Sequence, residues 1–467
     1  MAHGPAHIDD RFSYRRFVLL FTCALSITAS GAAQSLNVDI PGSLILVNYD
    51  RMSIGDKQGL EAGAYVARTD DGTANWFNPA GLSRSEKSAL NAAGTAYEWS
   101  SISLEGLGEK NSGTRLSTIA TYLGAAIGDP VISSDKWRLG FSITTPIAWA
   151  PGVLDPTFER QTAAGSEVIG YYSELDFTEI IPAVAAGYAP GGPIRLGFSM
   201  GGSITNLKQL QATSFRSASS SSAITGGRNF VTDGSAIALL IGGGMQYDFS
   251  DEVTFGLRII APSIRVSGTS RIGYQASLFS GTSGSDIFFR EEEARFDYKY
   301  PIEIDAGLAV KFGDGSIEGD VKYHGSVSEY ALYSTGAVSR STTIDSNGVP
   351  TLSYQPFGEA MNSAREVVNL AIGGNYSFSS SFAVHAGFRS DLSPVIDGKT
   401  SMFRKIDLYG GTAGVSLKWD QLAGSIGLAY STGTSEPTEL STITGETVTT
   451  SLGVSTLQML LAISYAF

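Results

Sequence analysis

Apolar and polar residues alternate in short runs along most of the chain from about residue 88 onward. A period of two is typical of β-strands with one apolar face and one polar face. In the run 253–259, one face carries Val, Phe, Leu and Ile, whereas the other carries Thr, Gly and Arg. Strands of this kind are predicted to cross a membrane with their apolar face on the lipid and their polar face on a wet lumen.

A second alternating run extends from Phe296 to Val310. Phe296, Tyr298 and Tyr300 begin one face, which continues with aliphatic residues, and the opposite face carries four charged residues. Charges at alternate positions would be costly in a buried strand but are stable against a wet lumen. The pattern therefore predicts one continuous lipid-facing strand here.

Counting such runs predicts an all-β fold, a transmembrane antiparallel β-barrel of about fourteen strands. The expected strands lie near 88–97, 115–126, 136–147, 174–190, 193–212, 232–248, 253–270, 295–311, 314–333, 362–378, 381–393, 407–418, 422–433 and 455–467. Connections alternate between short turns and long stretches, and the latter are predicted to be extracellular loops near 98–114, 148–173, 213–231, 271–294, 334–361 and 434–454.

The N-terminus has the pattern of a secretory signal peptide, which we assign to residues 1–33. Arginines precede an apolar stretch of residues 17–28, which is too short to span a bilayer, and small residues follow it. The only cysteine, Cys23, lies in that stretch, so the mature chain is expected to have no disulfide and no cysteine-based site.

Composition agrees with an exported barrel and excludes one class of partner. Charged residues make up only 16% of the chain, and Gly, Tyr and Phe are abundant. The net charge of −13 offers no basic surface for phosphates, so no nucleic-acid partner is expected. The predicted location is the outer membrane of a Gram-negative bacterium, in contact with the lipid bilayer and lipopolysaccharide.

About fifty residues between the signal peptide and the first strand do not alternate. They contain a Gly/Ala-rich run and then the stretch from Asp70 to Leu82, Asp-Asp-Gly-Thr-Ala-Asn-Trp-Phe-Asn-Pro-Ala-Gly-Leu. In this position the stretch resembles the N-terminal hatch of the long-chain fatty acid transporter (FadL) family, which includes the aromatic-hydrocarbon transporters. The run 176–188, the runs 367–376 and 382–391, and the terminal Phe467 are also similar to that family.

The resemblance implies a monomeric barrel of 14 strands, formed by residues 87–467 and plugged by a hatch of residues 34–86. It also implies passive transport of long-chain fatty acids or aromatic hydrocarbons, with lateral release through a gap in the wall. The hatch residues it marks for gating are Asp70, Asp71, Asn78, Pro79, Ala80 and Gly81. Phe467 at the end of the last strand resembles the C-terminal signal read by the barrel assembly machinery.

Ligand contacts are expected in the fourth predicted loop, because Phe279, Phe288, Phe289 and Arg290 give it apolar surface with one cation. The alternative for the aromatic residues is an interface girdle or packing within the loop. The third predicted loop is Ser-rich, which departs from the apolar landing groove of the family. Arg258 is the lumen-facing arginine that we assign to a ligand carboxylate. For it and for Arg138, Arg195 and Arg389, pairing with Asp and Glu across the barrel is the alternative.

Three other functions remain open. A barrel hydrolase would need a base, and His324 and His385, both predicted to face the lumen, are the only histidines of the mature chain; no G-x-S-x-G motif accompanies them. We therefore expect no enzyme, no cofactor and no metal site. A general porin would need an open lumen, which a hatch would fill. An adhesin or scaffold would carry no extractable lipid.

Overall fold

The computed structural model describes residues 46–85, 87–105, 111–128, 131–132, 134, 136–151, 153, 155, 157–162, 165–218, 223–396, 403–436, 438–441 and 447–467. The predicted signal peptide and residues 34–45 of the predicted hatch lie outside this set. No helix among the described residues is long and apolar enough to cross a membrane.

Two short α-helices and a 3-10 helix precede the strands in the described part of the chain. The elements are α1 (Lys57–Leu60), α2 (Ala74–Phe77), the 3-10 helix (Pro79–Arg84), β1 (Ala89–Glu105), β2 (Asn111–Ile127), β3 (Trp137–Trp149), β4 (Thr157–Thr162), β5 (Gly165–Gly191), β6 (Ile194–Ala218), β7 (Ala223–Asp248), β8 (Val253–Ile260), β9 (Ile264–Ser280), β10 (Ser283–Phe296), β11 (Glu303–Phe312), β12 (Gly315–His324), β13 (Val327–Ile344), β14 (Pro350–Ala364), β15 (Val367–Ser379), β16 (Phe382–Asp391), β17 (Leu408–Trp419), β18 (Leu422–Thr434), β19 (Thr438–Ser441) and β20 (Thr447–Ala466).

These strands form one closed antiparallel barrel of 14 wall strands, as predicted. Four wall strands are each interrupted once, so that β8 and β9, β10 and β11, β12 and β13, and β14 and β15 are the halves of single strands. The barrel closes where β1 pairs with β20, from Ala89 opposite Ala466 to Glu105 opposite Ser451. Phe467 extends this closure, because its backbone N–H donates to the carbonyl of Ser88 at 2.9 Å.

The alternation of faces follows the prediction through the membrane-spanning parts. In β8, Thr254 and Arg258 are buried in the lumen, whereas Ile259 is exposed on the outer face. Aromatic residues also ring the periplasmic ends of the strands on the outer face, as expected for a membrane interface: Trp137, Phe249, Phe312, Phe378, Trp419 and Phe467.

The prediction of a continuous lipid-facing strand over Phe296–Val310 is wrong in its first part. The strand is interrupted at 297–302, and Phe296, Tyr298 and Tyr300 are buried inside the barrel instead of facing lipid. Tyr298 packs edge to face against the lumen-facing Phe177, with ring centroids 5.4 Å apart. Periodicity alone could not reveal this, because a segment that bends inward keeps the same alternating sequence.

Most of the predicted long loops are also strands. The third predicted loop, 213–231, belongs to β6 and β7 except at 219–222, which lie outside the described residues, and the fourth, 271–294, is the hairpin of β9 and β10. These hairpins continue the barrel wall beyond the apolar band. The third predicted loop is largely polar on both faces, and the fourth interrupts its apolar residues with glycines and charges, so the hydropathy pattern that marks a membrane strand is lost although strand pairing continues.

Candidate functional site

Residues 46–85, here called the N-terminal segment, lie in the periplasmic half of the barrel lumen. Nearly all of them are buried. Their hydrogen bonds reach lumen-facing side chains around the barrel, at Asn91 on β1, Gln246 on β7, Asn375 on β15 and Ser425 on β18. A segment bonded to strands on all sides of a closed sheet occupies the space that the sheet encloses.

Two carboxylates on β12 bind the middle of this segment. Asp320 accepts backbone hydrogen bonds from Tyr65 at 2.9 Å and Val66 at 3.3 Å. Glu318 accepts from the backbone N–H of Ala67 at 2.6 Å and from Nε of Arg68 at 2.7 Å. The bond between Glu318 and Arg68 is an ion pair in a buried place, and such charge-assisted bonds are stronger than neutral ones. They fix the segment to one side of the wall.

Asn78, predicted for the hatch, is the polar centre of the turn that follows α2. Its side chain is fully buried, and its amide nitrogen donates to the carbonyls of Val66 and of Met245 on β7, both at 2.9 Å. Its amide oxygen accepts the backbone N–H of Ala80 at 3.1 Å. One side chain therefore joins two parts of the segment to the wall.

Pro79, Ala80 and Gly81 form the start of the 3-10 helix and are buried against the wall. A Cβ atom on Gly197 of β6 would overlap the backbone of Pro79, and one on Gly81 would overlap Thr69. Both glycines are therefore required by close backbone approach.

Asp70 and Asp71, the other predicted gating residues, lie at the edge of the segment. The side chain of Asp70 is half exposed and pairs with Lys57 at 3.2 Å. Asp71 accepts the backbone N–H of Thr73 at 2.8 Å and the amide of Gln58 at 3.3 Å. They shape the turn before α2 and contact no described residue of the wall through these bonds.

A second charged cluster forms around Asp50. Its carboxylate accepts from Lys322 of β12 at 3.2 Å and from Asn369 of β15 at 2.8 Å, and it lies 3.4 Å from Nε2 of His324. Burial alone would raise the pKa of Asp50, but the Lys322 ammonium and the hydrogen bonds from His324 and Asn369 outweigh it and hold the pKa well below its usual value. Asp50 is therefore a carboxylate in the folded barrel.

His385 connects the N-terminal segment to β17. Its Nδ1 lies 2.7 Å from Glu61, and its Nε2 lies 2.8 Å from the hydroxyl of Ser416. Glu61 also accepts from Arg68 at 2.6 Å and Asn375 at 3.0 Å. A carboxylate, an imidazole and a serine hydroxyl in this order have the geometry of a hydrolase triad. Ser416, however, lies within a regular strand that pairs on both sides with β16 and β18, whereas an oxyanion site needs backbone donors that are not used in strand pairing.

All four arginines predicted to face the lumen are used within the protein. Arg195 pairs with Asp248 at 2.6 Å, and Arg258 pairs with Glu303 and donates to the carbonyl of Trp76 at 2.7 Å. The other two donate to carbonyls of the N-terminal segment, Arg138 to Ser85 at 2.9 Å and Arg389 to Met52 at 3.1 Å. This agrees with the alternative given above, in which the arginines pair within the barrel and do not bind a ligand. Their partners include backbone carbonyls as well as Asp and Glu.

The extracellular half of the lumen contains a large apolar cluster. We call this region the upper apolar cluster, and its larger members are Leu46, Ile102, Trp149, Leu175, Phe177, Leu207, Ile272, Phe289, Phe296, Tyr298, Leu332, Phe403 and Leu452. They come from strands around the whole circumference, from the interruption at 297–302, from the connection between β16 and β17, and, at Leu46, from the start of the N-terminal segment. The lumen of a water-filled barrel is polar, so a large apolar cluster inside it requires another explanation.

The inward bend of 297–302 supplies the floor of the upper apolar cluster. Tyr298 contacts Phe177 and lies 6.4 Å from the ring of Phe403, and Tyr300 packs on Tyr49 at 5.4 Å. A cavity of about 10 Å³ lies beside Tyr298 and Tyr49, which is room for about one water molecule. A larger molecule can be held here only if side chains or the N-terminal segment move.

The predicted ligand residues of the fourth loop divide into two groups. Phe289 joins the upper apolar cluster, is 1% exposed, and stacks on Phe357 with ring centroids 3.7 Å apart. Phe279 and Phe288 are 42% and 49% exposed, and Arg290 pairs with Glu292 at 2.6 Å on the surface. Phe177 and Trp149 were missed by the sequence prediction. The one available signal was a bulky apolar residue, Phe177, at a position where the alternation predicts a polar lumen side chain.

The wall itself has a discontinuity between β2 and β3. The two strands pair only from Tyr122 opposite Thr144 to Ile127 opposite Leu139, although β2 continues to Asn111 in pairing with β1. Beyond Thr144, both faces of β3 are buried, with Trp149 packed under the guanidinium of Arg51 at 4.1 Å. Pro146 lies in this part and has no N–H to donate. β3 therefore bends into the lumen, and the described residues give the upper part of β2 no partner on that side.

Comparison with known proteins identifies the architecture. The structure is similar to that of a FadL homologue from Pseudomonas aeruginosa, with a TM-score of 0.55 and 14% identity over 91% of this chain and 100% of the other. It is similar to the toluene transporter TodX of Pseudomonas putida, with a TM-score of 0.56 and 13% identity over 90% and 99%. The chain has the fold of these barrels.

A third similar structure is the monoaromatic hydrocarbon channel CymD, with a TM-score of 0.53 and 12% identity over 91% of this chain and 99% of the other. No protein-family model matches the sequence, and no curated protein matches it. At these identities the likeness concerns the fold, so the function has to be argued from the residues in the lumen.

Proposed function

We propose that this chain transports small hydrophobic molecules, long-chain fatty acids or aromatic hydrocarbons, across the outer membrane by passive diffusion. The observation that carries the proposal is the upper apolar cluster, a group of aromatic and aliphatic side chains in the lumen above a tightly bonded, more polar N-terminal segment. Apolar surface of this kind binds hydrophobic molecules, because binding removes their apolar surface from water. Structural relatives that are named as a toluene transporter and as a monoaromatic hydrocarbon channel support the same substrate class.

In this proposal residues 34–86 are the hatch, and its described part closes the lumen. Asp320, Glu318 and Asn78 hold it in place. The cavity beside Tyr298 is too small for a substrate, so capture of a ligand requires the hatch to shift. A general porin would conduct ions freely through its lumen, which the bonded segment opposes.

Release takes place through the discontinuity between β2 and β3. Its inner side is lined by the bend of β3, where Met52 of the hatch donates to the carbonyl of Pro146 at 3.2 Å. A shift of the hatch therefore changes the wall at this position directly. Pro146→Val would restore an N–H and a residue that favours strands, and a severalfold fall in uptake is expected as β3 pairs further with β2. Unchanged uptake would place the exit elsewhere.

The decisive experiment combines extraction with uptake. Small molecules extracted from the protein purified from membranes are identified by mass spectrometry, and cells expressing each variant are supplied with labelled oleate or toluene. Phe177→Asp places a carboxylate in the upper apolar cluster and is expected to abolish uptake, whereas Phe177→Leu keeps the apolar surface and most of the uptake. Asn78→Ala combined with Pro79→Ala tests the hatch in the same assay.

Heat-modifiable migration on gels establishes that each variant forms the barrel. An empty barrel whose uptake survives Phe177→Asp would contradict the proposal and favour a scaffold or a porin.

A further inference from the structure

The outer wall carries a row of alternating charges across five neighbouring strands. Asp176 on β5 is the register partner of Lys208 on β6, Lys208 is that of Asp233 on β7, and Asp233 is that of Arg271 on β9. Arg271 pairs with Glu292 of β10 at 2.6 Å. Adjacent residues such as Leu175, Leu207, Thr232 and Ile272 are buried in the lumen, so the charged residues face outward.

A concave surface lies along this row, and we call it the outer trough. It has a volume of about 520 Å³, in the range of pockets that hold small ligands. Its lining consists of the five charged residues and of small or polar ones: Thr178, Asn206, Gly234, Ser235, Thr269 and Ser270. The lining is therefore mainly polar.

The charges of the outer trough are incompletely paired. Arg271 and Glu292 form an ion pair, but the described residues provide no ion pair within 4.0 Å for Asp176, Lys208 or Asp233. Lys208 lies on the strand between Asp176 and Asp233, so it could have paired with either carboxylate. Left apart, they can bind an anion at Lys208 and accept hydrogen bonds from hydroxyl groups at the two carboxylates.

The height of the trough fits a lipid headgroup. Asp176 lies about 15 residues above the periplasmic end of β5 at Gly191. At about 3.3 Å per residue and a strand tilt of about 40°, this is roughly 38 Å above the turn, whereas the apolar band of such a barrel is about 25 Å tall. Ile180 and Ile237, on the same face and closer to the periplasm, are apolar as the lipid band requires. The trough therefore lies just outside the hydrocarbon, at the headgroups of the outer leaflet.

We propose that the outer trough binds the phosphorylated saccharide headgroup of an outer-leaflet glycolipid, lipopolysaccharide. Lys208 and Arg271 contact its phosphate, while Asp176, Asp233 and the amide of Asn206 contact its sugar hydroxyls. The site lies on the face of β5–β7 opposite to the lumen, so this binding is independent of transport. Loss of the headgroup site leaves hydrophobic uptake unchanged.

Native mass spectrometry of the full-length protein, refolded free of lipid and titrated with deep-rough lipopolysaccharide, tests the site. The intact protein is expected to retain one glycolipid, and Lys208→Ala combined with Arg271→Ala is expected to weaken retention by at least about tenfold. The matched control is Lys311→Ala combined with Lys418→Ala, two exposed lysines at the periplasmic ends of β11 and β17, which is expected to bind as the intact protein does.

Two further probes separate the sources of phosphate. Phosphatidylglycerol and inorganic phosphate are each expected to compete poorly, because neither supplies the saccharide. Equal retention of lipopolysaccharide by the double variant and the intact protein would overturn the site. Full competition by inorganic phosphate, or loss of phosphatidylglycerol binding in parallel with lipopolysaccharide, would overturn the saccharide assignment. Asp176→Asn combined with Asp233→Asn, which keeps both cations, is expected to show an intermediate loss.

Discussion

The periplasmic and extracellular halves of the lumen are formed by the same alternating strands but differ in their lumen-facing side chains. In the periplasmic half, wall positions carry Glu318, Asp320 and His385, and each is bonded to the N-terminal segment. In the extracellular half, equivalent positions carry residues such as Phe177 and Leu207, which pack in the upper apolar cluster. Hydrogen bonds and ion pairs are directional and fix the N-terminal segment in one position. Apolar contacts are not directional, so they do not impose one orientation on a bound molecule. The periplasmic half is therefore suited to closing the lumen, and the extracellular half is suited to binding an apolar molecule.

Deleting residues 34–85 tests the closing role most strongly. The lumen of a barrel of this size is expected to open to water, and ion conductance should rise from near zero to that of an open pore. Single-channel recording in planar bilayers measures this change, with the intact protein and the lysine control variant Lys311→Ala/Lys418→Ala as references. Conductance that stays near zero would mean that the segment does not close the lumen.

Glu318→Gln combined with Asp320→Asn should release the segment without removing it. Both carboxylates are at most 1% exposed, and breaking buried charged contacts of this kind costs roughly 3–5 kcal/mol. Because Glu61 still pairs with Arg68, the lower end of that range is expected. Frequent open events and protease cleavage within residues 46–85 would report the release. Glu252→Gln, in an exposed periplasmic turn, should behave as the intact protein does.

Acid should open the lumen only well below neutral pH. The pKa of Asp50 is held well below its usual value, and that of Glu61 is also lowered, because His385 and Arg68 outweigh its burial. A carboxylate with a lowered pKa stabilises the folded state above its unfolded pKa of about 4, and this contribution is lost as pH falls through the lowered value. Ion conductance should therefore stay near zero from pH 7 to pH 5 and rise below about pH 4. Opening between pH 7 and pH 5 would show that other groups hold the segment.

The smallest effect is expected from Ser416→Ala. The hydrogen-bonded series Glu61, His385 and Ser416 joins the plug to the wall, and its loss at Ser416 removes one hydrogen bond, worth about 1 kcal/mol. Uptake should hardly change, and a fluorophosphonate probe should not label the intact protein. Labelling that disappears in Ser416→Ala would instead support the barrel hydrolase.

Individual residues show which features of the structure could be predicted from the sequence. The alternation at Val253–Ile259 and the last strand leading to Phe467 could be predicted, because lipid on one side and water on the other impose a period of two on any membrane strand. The importance of Asn78 could be suggested only through a family resemblance, since its two carbonyl partners are distant in sequence. The inward bend at Tyr298 could not be predicted, because bending preserves the pattern.

The sequence by itself determined the barrel, its strand number and the apolar band, since these depend on the local periodicity of each strand and on the bilayer that every strand meets alike. Only the tertiary structure decided which lumen positions bind the N-terminal segment, which form the upper apolar cluster, and which outward charges meet in the outer trough. These groupings join residues such as Asp50 and Lys322, or Asp176 and Arg271, that closure of the sheet brings together from distant parts of the chain. A local pattern carries no information on such neighbours, because they are set by the register and the circumference of the whole barrel.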